Sequence, residues 1–571
     1  MTRACFVVTL SVLIAHLYGF ATIINIPDDY ATIQRGIDAG TYADTVLVQP
    51  GVYIENIEFD SQTRVLASLY ILTSDSMYID STIIDGNGSG SVITIENSIG
   101  SAGMIIGFTI RNGSNWSGGG ISCSAACDPI IANNKIINNN ASSNGAGIYI
   151  SEYCDPVIQS NYIANNETNG SNGWGAGIFF IFNSHPQIIN NVITDNTSSN
   201  FAGGIACYSE GDRAIVQNNV ISNNESQYKA GGIVVWSNSN ISILDNIIEN
   251  NYAESYGGGI LVHEANPVIS GNLIKNNTVE LYNGGGIYCD IGTEPLILNN
   301  IITGNQTLGP YGNGGGIYCF LSSPIIERNL IKSNIVHGFN GYGGGINCEG
   351  SYATITNNTL YGNSVPNEGF GGGIYCGNYS SPMVVNTIAW EDTAEFGEEI
   401  YLEPSASINI SYSDIQLGWD GEGNLDIDPL FNEPEVGDFH LQFNSPCIDA
   451  GNPTEPNDPD STRCDIGAYY YDQLVSVNEL INIPADYSLF QNFPNPFNNS
   501  TNIKFELAER SQVTIDIYDI LGRHVASVND AFLSAGYHQA VWNAENFSSG
   551  VYFYKLAAGQ YIETKSMTLI K

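Results

Sequence analysis

Positive charge is almost missing from this chain: 17 lysines and arginines stand against 58 aspartates and glutamates in 571 residues, a net charge of -41. Such a surface repels phosphate backbones, so nucleic acid is not an expected partner, and it also disfavours anionic polysaccharides. Only seven basic residues fall between positions 101 and 425: Arg111, Lys135, Arg213, Lys229, Lys275, Arg328 and Lys332. Long apolar runs are scarce too. The run from Phe6 to Ile14 follows Arg3 and precedes small residues at Gly19 and Ala21, the pattern of a secretory signal peptide over residues 1–21. It is too short for a bilayer span, and no later stretch is apolar enough, so no transmembrane helix is expected in the exported chain. Histidines are few, and His185, His337, His440, His524 and His538 have no obvious partners. A serine or cysteine nucleophile elbow and a phosphate-binding loop are both absent.

What the chain has in abundance is repetition. A Gly-Gly-Ile or Gly-Ala-Gly-Ile phrase occurs ten times between Gly118 and Ile374, every 27 to 30 residues. Its isoleucines are Ile121, Ile148, Ile178, Ile205, Ile233, Ile260, Ile287, Ile317, Ile346 and Ile374. Each unit also carries one asparagine (Asn134, Asn161 and onward to Asn358 and Asn386) and a second one five residues later, from Asn139 to Asn363. The last unit has Glu391 at the second position. An apolar residue follows each first asparagine by two, from Ile136 to Leu360 and Ile388. Three short β-branched segments per unit, bounded by turn-forming Asn and Gly, are too short for helices and fit strands. A period of this length means stacked coils, about 4.8 Å apart when each strand pairs with its equivalent. The expected fold is all-β, a right-handed parallel β-helix of roughly 11–13 coils followed by a small antiparallel sandwich. The asparagines then read as turn scaffolding. Cys123, Cys207, Cys289, Cys319, Cys348 and Cys376, two past a phrase isoleucine, read as small buried hydrophobes.

The same alternation points other side chains outward. One residue past the isoleucines lie Phe179, Tyr288 and Tyr318; three past lie Tyr208, Trp236, His263, Asp290, Phe320 and Glu349. The preceding loops add one aromatic per coil, among them Trp174, Tyr256, Tyr282 and Tyr311. One reading has the loop rings fold down over the strand rings as packing. The other makes Trp174, Phe179, Tyr208, Trp236, Tyr256, Tyr282, Tyr288, Tyr311, Tyr318 and Phe320 a stacking platform for an extended extracellular polysaccharide. Asp290 and Glu349 fall two coils apart, about 9.6 Å, at the upper edge of the carboxyl spacing of an inverting glycosidase, with His263 beside them. They are the candidate catalytic residues of an alternative reading as a glycoside hydrolase or polysaccharide lyase. Against it, the paired aspartates, Gly-His-Gly and Arg-x-Lys of polygalacturonases are absent, as is the basic cleft of uronate lyases. A third reading is a purely structural surface protein. Residues 420–428 (DGEGNLDID) place Asp420, Glu422, Asn424, Asp426 and Asp428 at alternate positions, a candidate calcium loop, although Phe431 stands where an EF-hand has glutamate.

The two ends differ from the repeat. Residues 25–60 suggest a short amphipathic helix with Ile33 and Ile37 facing the core, then two strands, and Gly107, Phe108, Thr109 and Asn112 fit a first degenerate coil. The stretch resembles the N-terminal entry of pectate-lyase-like β-helix proteins. DIDPLF at 426–431, GDFHLQFNSPCIDAG at 437–451 and DIGAYYYD at 465–472 resemble the choice-of-anchor Q closing region of bacterial β-helices. In an exported protein, Cys447 and Cys464 are then expected to form a disulfide, with Cys127 and Cys154 a weaker pair. Asn495-Pro496-Phe497, Ile517-Tyr518-Asp519 with Gly522, the run Ser549 to Phe553, and Lys571 resemble, in order, a type A C-terminal sorting domain of type IX secretion substrates. That resemblance implies passage through the outer membrane by the type IX machinery, to the cell surface or the medium. The expected organisation is signal peptide 1–21, cap and first coils 22–110, repeats 111–425, closing region 426–472, linker 473–486 and sorting domain 487–571.

Overall fold

The computed structural model describes residues 22–41, 44–59, 65–96, 103–208, 214–473, 486–533, 535–545 and 547–570. The signal-peptide segment, most of the expected linker and Lys571 lie outside them. Residues up to Tyr470, apart from a short excursion at Pro459–Thr462, cluster as one unit, and the C-terminal residues as another.

The first unit is a parallel β-solenoid. Phrase isoleucines pair in register from coil to coil, Ile233 with Ile260, Ile260 with Ile287 and Ile287 with Ile317. They lie fully buried in one continuous core with Ile243, Ile269, Ile274 and Ile302 from the other walls. The second glycine of each phrase is required by proximity. A Cβ on Gly259 would lie 2.6 Å from the carbonyl oxygen of Gly286 in the next coil, and a Cβ on Gly232 2.5 Å from Gly259 O. Backbone cannot retreat as a side chain can. Gly259→Ala should therefore destabilise the solenoid by about 3 kcal/mol, read as a lower melting temperature by circular dichroism.

Four parallel sheets wrap the core rather than three, with 15, 14, 13 and 11 strands. The extra sheet is built from two-residue strands directly after the second asparagine, such as Glu167–Thr168 and Thr278–Val279. Two residues carry no legible period, which is why the sequence pattern misses them. The stack also begins earlier than the degenerate coil expected at Gly107, because Ile23–Ile26 already pairs with Thr45–Val48. Helix Ile33–Ala39, capped by the Thr32 side chain, buries Ile33 and Ile37 as expected.

The asparagines form two internal ladders. In each, the backbone N–H and the Nδ2 of one asparagine both donate to the Oδ1 of its equivalent in the next coil, as from Asn246 to Asn272 at 2.9 and 3.0 Å. The same Nδ2 also donates to a core strand carbonyl, Val216 O, at 2.8 Å. At the last coil the register departs from the sequence pattern. Asn358 donates to Thr387 rather than to Asn386, and Asn363 to Asp392 rather than to Glu391. Asn386 is instead used by the closing region, its Oδ1 accepting from Asn452 N and its carbonyl from Gly467 N.

That closing region folds back on the final coils. Phe431–Glu433 pairs antiparallel with Asp438–Leu441, and Phe439 packs edge-on against Tyr361 of the solenoid at 4.9 Å. The expected Cys447–Cys464 disulfide is not formed. Both thiols are free: Cys447 Sγ donates to Asp414 Oδ2, whereas Cys464 Sγ faces Asn386 and Asn452. Carboxylate and amide partners hold the two sulfurs in separate environments. Cys127 and Cys154 are also free thiols, with sulfurs 3.1 Å apart.

The second unit has antiparallel sheets of three and four strands. Strict alternation, as in Ser500–Leu507, buries every second residue around Trp542, Tyr554 and Phe505. Tyr554 ties the entry segment down, its hydroxyl donating to Phe490 O and accepting from Asn492 N.

Candidate functional site

The outward side chains next to the phrase isoleucines form a column along one wall of the solenoid, and the loops before them form a second. Isolated bridges run Trp174 to Phe201, Phe201 to Lys229 and Lys229 to Tyr256. The loop rings do fold down. Phe179, Tyr288 and Tyr318 are buried in a cluster with Phe201, Val234 and Leu261, outside the main core. These three cannot offer a ring face to a ligand. Their place in the expected platform is corrected to packing, because rings at van der Waals distance cover them.

Other members stay open. Tyr208 and Tyr228 are about two-fifths exposed and Tyr311 nearly three-quarters, while Tyr282 stacks on Tyr256 at 5.0 Å and leaves its other face towards Tyr311 at 6.4 Å. Trp174, Trp236 and Phe320 are half-buried at the edge of the cluster. Trp174 stacks on Phe201 at 4.1 Å and meets Trp236 edge-on at 5.5 Å.

A polar centre interrupts the rings. His263 lies over Trp236 with centroids 3.8 Å apart, and its Nδ1 is 2.7 Å from Asp290 Oδ2. Asp290 Oδ1 accepts from the Ile291 N–H at 2.9 Å. Burial pushes the Asp290 carboxyl up, but the His263 and Ile291 hydrogen bonds, with the charge of Lys229, outweigh it and hold the group below its ordinary value. Lys229 Nζ sits 5.0 to 6.0 Å from the ring centroids of Tyr256, Tyr228, Trp236 and Phe201. Desolvation there lowers its ammonium below the usual lysine value, partly offset by Asp290. The sequence pattern selects Tyr228 as the loop aromatic of this coil and passes over Lys229. Its scarcity was the available signal.

Glu349 does not converge with this centre. Phe320 pairs with Glu349 and occupies the coil between it and Asp290. The Glu349 carboxylate accepts from the Tyr318 hydroxyl and from Asn378 Nδ2. His263 and Asp290 meet directly, whereas Glu349 is engaged separately, two coils away.

The acidic loop is spent on its own turn. Glu422 accepts from Tyr412, Asp426 from Leu417 N, Asp428 from Leu430 N, and Asn424 donates to Ile410 O and Trp419 O. Among the described residues no group of three or more His, Cys, Asp or Glu side chains is arranged to hold a metal ion. The calcium expectation at Asp420 to Asp428 is therefore not supported by the geometry.

Coil register, core and lateral face define a β-solenoid with an aromatic outer wall. The family described as right-handed β-helix region matches residues 46–221 and 171–331, and the chain belongs to it. A second family, the secretion system C-terminal sorting domain, matches residues 491–571. No curated protein matches the chain. The sorting domain makes this a cargo of the type IX secretion machinery, delivered to the cell surface or the extracellular space. Among the described residues no helix is long and apolar enough to cross a membrane.

Proposed function

We propose that the protein is an exported binding module whose lateral aromatic face holds an extracellular polysaccharide. The observation that carries this reading is the exposure of Tyr208, Tyr228, Tyr282 and Tyr311 along one face, with Tyr256 on the coil between Tyr228 and Tyr282, beside a packed aromatic cluster. Flat exposed rings at coil spacing suit the C–H faces of successive sugars, and burying such faces rewards a ligand that runs along the axis. A rigid solenoid also keeps the entropic cost of ordering these rings low. The adhesive reading is favoured over catalysis because the Asp290 and Glu349 carboxylates are each already engaged by protein partners, with Phe320 on the coil between them.

The test is affinity electrophoresis of the secreted protein in gels containing soluble polysaccharides. Tyr208→Ala with Tyr228→Ala should reduce retardation by about tenfold in apparent affinity, the cost of losing contact residues worth 1–2 kcal/mol together. Unchanged retardation in the double variant would remove the platform. Release of reducing ends during incubation would favour a carbohydrate-active enzyme instead.

A further inference from the structure

We infer that Lys229, His263 and Asp290 form the polar centre of one saccharide subsite on this face, which takes an uncharged pyranose through a pair of vicinal hydroxyls. The inference rests on the polysaccharide-binding reading and deepens it.

Lys229 is the starting point. A lysine ammonium carries three donors and no acceptor, and placing it among rings removes water that would otherwise satisfy them. Among the described residues Lys229 makes no side-chain hydrogen bond or ion pair. Attraction to four ring faces offsets part of that loss, yet rings do not saturate N–H donors. Nearby, the Asp290 carboxylate is committed to His263 Nδ1 and the Ile291 N–H, which leaves His263 Nε2 as the imidazole's remaining polar atom. A charged donor and an imidazole nitrogen thus stand beside Trp236 and Tyr256. Vicinal hydroxyls supply an acceptor for the ammonium and a partner for the imidazole nitrogen, while the C–H face of the same ring lies against the aromatics.

The charge pattern selects an uncharged sugar. Asp290, Glu349 and Glu403 occupy one column of outward positions, and the Tyr318 and Tyr375 hydroxyls beside them already donate to Glu349 and Glu403. A polyanion threading this column would meet a carboxylate on every second coil, at Asp290, Glu349 and Glu403, on a molecule of net charge -41. One ammonium does not reverse that field.

The experiment uses the full secreted chain in affinity gels carrying laminarin, galactomannan or xyloglucan, with pectate and alginate gels alongside. The wild type should be retarded by at least one neutral polymer and by neither acidic one. Lys229→Met keeps the bulk of the stem within the rings and should weaken that retardation about tenfold or more, as loss of a charged hydrogen bond does. His263→Gln serves as a second variant, expected to weaken it similarly, and thermal melts verify that both fold. Equal retardation of wild type and both folded variants would overturn the subsite, as would retention confined to pectate and alginate. If Tyr208→Ala with Tyr228→Ala abolishes binding while Lys229→Met does not, the subsite fails and the platform stands. No retardation in any gel overturns both.

Discussion

Replacing Asn251 by leucine should cost the solenoid on the order of 3 kcal/mol and strip hydrogen-exchange protection from the two adjoining coils. Asn251 is fully buried and sits mid-ladder. Its Oδ1 accepts both Asn224 N and Asn224 Nδ2 at 3.0 Å, and its Nδ2 donates to Ile221 O at 2.9 Å and to Asn277 Oδ1 at 3.0 Å. Leucine fills a similar volume but leaves Asn224 N buried without an acceptor and removes one of the two acceptors of Asn224 Nδ2, and a buried orphan of this kind costs about 1–3 kcal/mol. Because stacked coils interact mainly with their neighbours, the loss should be local before it is global. Glu254→Ala, on the exposed surface of the same coil, should change stability by less than about 0.5 kcal/mol. Equal melting temperatures for Asn251→Leu and Glu254→Ala would mean that the ladder contributes nothing.

The ladder's last rung predicts a pH dependence. Asp392 stands where an asparagine stands in the nine preceding coils, from Asn139 to Asn363, and its Oδ1 accepts from Asn363 N and Nδ2. Glu399 lies against it, and one oxygen of each carboxyl is buried without a partner. Burial pushes Asp392 up to about 7, and burial with the neighbouring Asp392 charge pushes Glu399 up to about 10. A carboxyl raised in the folded state binds more protons than in the unfolded chain, so its stabilisation is complete below the unfolded values of 3.8 and 4.5. That stabilisation is lost as pH rises through about 7 and then about 10. The final coil should therefore melt at a higher temperature at pH 5 than at pH 9. Asp392→Asn restores the amide rung, removes one buried charge and should raise stability at pH 9 by about 1–3 kcal/mol, with a flatter profile. A variant as pH-sensitive as the wild type would place the effect elsewhere.

Much of this molecule was legible in the residues alone. The phrase period specifies stacked coils, and Ile260 or Ile274 inside with Cys289 beside them follows from alternation that any three-residue strand displays. Asn272 and Asn277 were readable as scaffolding because a buried amide repeating once per coil has only its own equivalent to bond. The tail was readable too, since Ser500–Leu507 and its neighbours alternate over eight or more residues.

Other features were decided only by folding. The shift of the final rung from Asn386 and Glu391 to Thr387 and Asp392 depends on which carbonyls the closing region claims, and no local pattern records that. Cys447 and Cys464 are paired by sequence context yet separated by Asp414 and Asn386. The burial of Phe179, Tyr288 and Tyr318, the ring box around Lys229 and the meeting of His263 with Asp290 arise between coils whose loops differ in length. Within a coil, chain neighbours and alternation set direction; between coils, the register of backbone hydrogen bonds sets who meets whom, and that register exists only once the stack has formed.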